Sequence, residues 1–177
     1  MMRTLVALGT VLLAVSPGSL HAQGGGSSPI QLSLVTPIQL VGADRAITGF
    51  RLNLIYGQNT QVVGLDIGLI NRNTSGVSQG LQYGLVNLVE ADFKGWQHGG
   101  VNLTRRMFEG LQSGAVNSAR AGRGVQWGIV NVSDSFNGLQ IGFVNYAERM
   151  HGLQIGLVNI ISQDGAFPVF PIVNWSF

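Results

Sequence analysis

His98 and His151 are the two histidines that follow the N-terminal segment, and neither has a second His or a carboxylate cluster at metal-ligand spacing. Serines are plentiful, but the one Gly-x-Ser-x-Gly match, Gly76 to Gly80, runs into a repeated strand-like segment rather than a helix, and no Ser–His–acid set can be assembled. The glycines are not followed by Lys-Ser/Thr, so they do not form a phosphate loop. A chain without Cys has neither disulfides nor thiol chemistry. No catalytic, cofactor-binding or metal-binding residue is therefore assigned, and the expectation is a non-enzymatic protein without a cofactor. Two charges stand apart. Arg51 and Asp66 occupy equivalent places in a repeated segment, where other copies carry Gln. Buried singly they would each cost several kcal/mol, so the spacing predicts that they neutralise each other across neighbouring strands.

The element that positions these residues is an octet of the form Gly-Leu-Gln-x-Gly-Leu-Val-Asn. Copies begin at Gly64, Gly80, Gly95, Gly110, Gly124, Gly138 and Gly152, with a degenerate one at Gly49. Successive starts lie 14 to 16 residues apart, and the variation falls between one Asn and the next Gly. A helix is excluded, because two glycines per octet would each cost about 1 kcal/mol. Period two fits instead. Positions two, four and six are large and mostly apolar, while positions three, five and seven are Gln, Gly and Val. Of the 17 charges after residue 22, 13 follow an octet's last residue rather than lying inside one: 12 between octets and Asp164 after the final octet. Tyr83, Trp96, Trp127 and Phe143 share the apolar face, as core packing or as an interfacial girdle. The Asn at position eight is expected to close the strand by bonding to nearby backbone.

The chain opens with Arg3 and then an uncharged run from Leu5 to Val15, ending in small residues at Ala22. Residues 1–22 therefore read as a secretory signal peptide, too short in its apolar part for the roughly 20 residues of a membrane-spanning helix. Residues 23–28 read as a flexible leader and 29–177 as one repeat-built β domain. After residue 22 there are nine basic and eight acidic residues, which is no balance for a nucleic-acid partner.

The run Thr48 to Gly57, the run Val63 to Asn71 and the GLQxGLVN copies resemble a family of exported bacterial surface-repeat proteins. The resemblance spans about Pro29 to Ile160. It implies an exported protein of Gram-negative type and carries no catalytic or binding residues with it.

Two all-β architectures accommodate the octets. The first is a closed antiparallel outer-membrane barrel of about ten strands, since an octet plus two residues matches a tilted transmembrane strand of roughly 9–11 residues. The second is a parallel β-solenoid, which explains why every copy is alike but encloses little space and needs capped ends. The C-terminal run Phe167 to Phe177 ends on an aromatic with Val173 and Trp175 on one face. It resembles the signal read by the outer-membrane insertion machinery, which favours the barrel. The expectation is thus an exported outer-membrane or surface protein with a structural or interaction role, in contact with outer-membrane lipid and open to a role as a small pore. The alternative is a periplasmic or secreted solenoid that binds a partner along its flat Gln/Gly/Val face.

Overall fold

Period two makes each octet extended, but it leaves open which way the neighbouring octet runs. In the computed structural model, which describes residues 26–177, neighbouring octets run parallel. The elements are β1 (Ser28–Val35), β2 (Ile38–Gln39), β3 (Ile47–Asn59), β4 (Val62–Asn73), β5 (Val77–Val89), β6 (Asp92–Gln163) and β7 (Val169–Ser176). They form one sheet in the order β2-β1-β3-β4-β5-β6-β7. Gly49 pairs with Gly64, Gly64 with Gly80 and Gly80 with Gly95. The 72 residues of β6 cannot be one straight strand, which would span about 240 Å. They wind through five octets, and side-chain hydrogen bonds between residues 14 or 15 apart tie each coil to the one before.

The barrel expectation is therefore corrected: the chain is a parallel β-solenoid, with eight octets stacked as coils one to eight. The position-one glycines supply a physical reason. Those from Gly49 to Gly152 have φ between 119° and 143°, a region that side chains rarely adopt. A Cβ at Gly110 would also collide with the carbonyl oxygen of Gly95, and the same holds along the row. Such a row of backbone-on-backbone approaches requires like to stack on like. The expected signal peptide at 1–22 lies outside the described residues.

Each coil turns because its inward positions break step. Gln at position three and Asn at position eight are both fully buried, five residues apart, whereas an unbent strand would put them on opposite faces. The octet thus bends near position seven, so Val does not extend the Gln/Gly face as expected. A second bend follows position ten, before an inward row containing Phe93, Phe108 and Phe136. The variation in coil length is absorbed there. Val89, Phe93, Phe108 and Ala119 form one apolar cluster; Phe136, Ala147, Met150 and Ile161 form another. Gly122 leaves room for the Phe136 ring, which a Cβ would strike. The small interior is filled rather than hollow.

Antiparallel strands lie at both ends of the stack. β2 pairs with β1, and β7 runs back along the last coil with Trp175 opposite Leu153 and Val173 opposite Ile155. The C-terminal run that suggested barrel insertion is the closing strand of the solenoid, covering the backbone groups of coil eight. The expectation that an insertion machinery recognises Phe177 is tied to the barrel reading.

Candidate functional site

The wall built by the octets has two faces, and its inner face is a pair of side-chain ladders. Arg51 heads the first, meeting Asp66 through two bonds of 2.7 Å. Gln82 Nε2 donates to Asp66 at 2.8 Å, Gln97 to Gln82 at 2.8 Å, Gln112 to Gln97 at 2.8 Å and Gln126 to Gln112 at 2.7 Å. Gln140 and Gln154 continue the row at 2.7 and 2.8 Å. The register places Arg51 opposite Asp66, as the shared repeat position predicts. The carboxylate is the terminal acceptor for a row of buried amides, and the guanidinium neutralises it. A buried ion pair of this kind holds only with its remaining lone pairs satisfied. At the far end Gln154 Oε1 has no partner, because Asn174 above it in β7 donates instead to Phe167 O.

The second ladder runs the other way. Asn53 donates to Asn71, Asn71 to Asn87 and Asn87 to Asn102, and the row continues to Asn159 at 2.8 to 2.9 Å. In the Gln row the later coil donates; in the Asn row the earlier one does. The two rows of amide dipoles therefore oppose each other. From Asn71 onward each Asn Nδ2 also donates to a backbone oxygen of the following layer, such as His98 O or Trp127 O. Asn does bond to backbone at the bend, as expected, but across coils.

The outer face of the same wall is apolar. Positions two, four and six of the eight octets carry no charge. Leu54, Leu85, Trp127, Phe143 and Leu157 are each more than half exposed. The charges lie on the other sides and pair along the stack, as Lys94 with Glu109 at 3.2 Å and Arg106 with Asp92 at 3.5 Å. Such exposed pairs contribute about 0–1 kcal/mol each. Arg72 is held charged above the ordinary arginine range by a hydrogen bond to Tyr56 first, and by Glu90 to a smaller extent.

One cluster on this face is not apparent from sequence spacing. Ser113 Oγ accepts from Trp96 Nε1 at 2.8 Å and meets His98 Nδ1 at 2.8 Å. His98 also stacks on Tyr83 at 5.3 Å and meets the Trp96 edge at 5.8 Å. The signal available in the sequence was the 15-residue period, which sets position four over position four. Ser113 is only 7% exposed, under Trp96, and no carboxylate bonds to His98 among the described residues. The arrangement orders the ring of His98 and lacks the acid and the access that a serine nucleophile needs.

His151 is exposed and contacts Phe177 edge-on at 6.1 Å, far from His98 along the stack. No group of three potential metal ligands occurs among the described residues, and no helix there is long and apolar enough to cross a membrane. The Gln/Gly face, expected as a docking surface in the solenoid alternative, is instead the buried interior. Exposed apolar side chains line the outer wall instead. Comparison of the chain with protein-family models, curated proteins and solved structures returned no match.

Proposed function

We propose that the chain is an exported, non-enzymatic β-solenoid that acts by docking through the outer wall of its octets. One observation carries this reading: positions two, four and six form an uncharged face along the whole stack, with large side chains more than half exposed. Contiguous apolar patches beyond a few hundred Å² mark interaction surfaces on proteins that are otherwise polar. Export rests on the N-terminal segment and on the resemblance to exported surface-repeat proteins. A second reading, contact with outer-membrane lipid, is favoured by the aromatic residues Tyr83, Trp96 and Trp127 on that face.

The test compares wild type, a Leu85→Glu/Ile129→Glu variant and an Arg120→Glu variant by sedimentation and by flotation with phospholipid vesicles. Wild type and Arg120→Glu are expected to self-associate or float, and the outer-wall variant to do neither. A wild-type protein that is monomeric and stays free of vesicles contradicts the reading.

A further inference from the structure

The outer wall has relief as well as area. Along position six the row reads Leu69, Leu85, Gly100, Ala115, Ile129, Phe143 and Leu157. Coils four and five therefore carry a hollow at Gly100 and Ala115, and coils six and seven carry a ridge at Ile129 and Phe143. Ile129 is 53% and Phe143 59% exposed, so the ridge stands free. We propose that the occupant of this wall is a second copy of the chain, packed face to face and reversed end for end. The proposal rests on the reading of the outer wall as a docking surface.

The geometry follows from symmetry. Two sheets facing each other can be related by a two-fold axis lying between them and parallel to the strands. That operation keeps position six over position six and reverses the order of coils. With the axis between coils five and six, Ala115 faces Ile129 of the second copy and Gly100 faces Phe143. Leu85 faces Leu157. Each copy gives its ridge to the other's hollow, as an isologous interface requires. The rows that matter lie beside the axis, where the angle of about 30° between packed twisted sheets displaces them least.

With this axis coils two to eight and β7 of each copy overlap, a face about 34 Å long at a spacing of about 4.8 Å, and positions two to six span about 13 Å. The projection of about 440 Å² per partner, enlarged by side-chain relief, makes this an interface at the small end of specific ones, below the roughly 800 Å² of the standard size. A fluid lipid surface would gain nothing from a hollow and a ridge placed at equal distances from one axis. The wall also contributes no Asp, Glu, Lys or Arg to the core of such an interface.

The experiment is sedimentation equilibrium on the purified protein, run beside vesicle flotation, with circular dichroism to confirm that each variant is folded. Wild type is expected at twice the mass of one chain. Ala115→Trp fills the hollow and is expected to weaken the dimer by about tenfold or more, and Phe143→Ala likewise. Adding Ile129→Ala to Ala115→Trp makes room opposite the new indole and is expected to restore most of the affinity. A dimer indifferent to Ala115→Trp overturns the proposal, as does failure of Ile129→Ala to restore it. A monomer that floats with vesicles also overturns it and leaves the docking reading intact. A monomer that binds neither overturns both.

Discussion

The inner and outer faces of the octet wall invert the usual distribution of side chains. Gln82, Gln112 and Gln126 are completely buried, while Leu85 and Trp127 on the same strands are more than half exposed. Burying an amide costs free energy unless it is hydrogen-bonded, and the stack meets that condition by giving Gln97, Gln112, Gln126 and Gln140 a copy of themselves above and below. A Leu in that row would find room for its side chain but would interrupt the ladder. Burial here is thus governed by translational identity rather than by hydrophobicity. The outer wall has no such internal partner, so its apolar surface is available for docking.

Substitutions on the two faces should therefore differ in kind, and urea unfolding followed by circular dichroism orders them. Gly110→Ala should be the most damaging, by about 3 kcal/mol or more, because it combines a left-handed φ with a collision against Gly95. Arg51→Met should cost about 3–5 kcal/mol, since it leaves Asp66 charged and buried. Replacing both members, Arg51→Gln with Asp66→Gln, extends the amide row and should recover most of that loss. If the double variant is no more stable than Arg51→Met, the ladder is not the unit of stability. Gln112→Leu should cost about 1–3 kcal/mol, because Gln126 Nε2 loses its acceptor while Gln97 Oε1 keeps only Thr104 Oγ1. Leu85→Ser on the outer face should change the stability of the single chain by under about 1 kcal/mol, and its effect should appear in association instead.

Much of this was legible in the sequence, and the misreadings have physical causes. The strand character of the octets, the interval that absorbs length changes and the pairing of Arg51 with Asp66 all follow from spacing and charge. Alternation, however, shows only that a strand has two different faces. It does not say which is inside, and Gln/Gly looked like the surface because amides are usually exposed. Pairing direction was equally open. The sameness of all copies pointed to parallel stacking, but the terminal Phe177 and the alternating run before it looked like a barrel's last strand. A capping strand and a barrel strand need the same alternation, so that run could not decide between them. The bend at Val86 and its equivalents was missed because no Gly or Pro marks it. The Tyr83, Trp96, His98 and Ser113 cluster was missed because it exists only once coil stands on coil.

The account stands or falls on parallel stacking, and spin-label distances test that most directly. Thr74, Arg105, Asp134, Glu148 and Ser162 lie at the same place in coils two, four, six, seven and eight, away from the proposed docking wall. With one label at Thr74 and the second at each of the others in turn, the separation should grow steadily by about 4.8 Å per coil. Ser162 should then lie about 29 Å away. Distances that alternate between successive repeats, or that fall again toward Ser162, would mark antiparallel neighbours in a closed ring and contradict the solenoid.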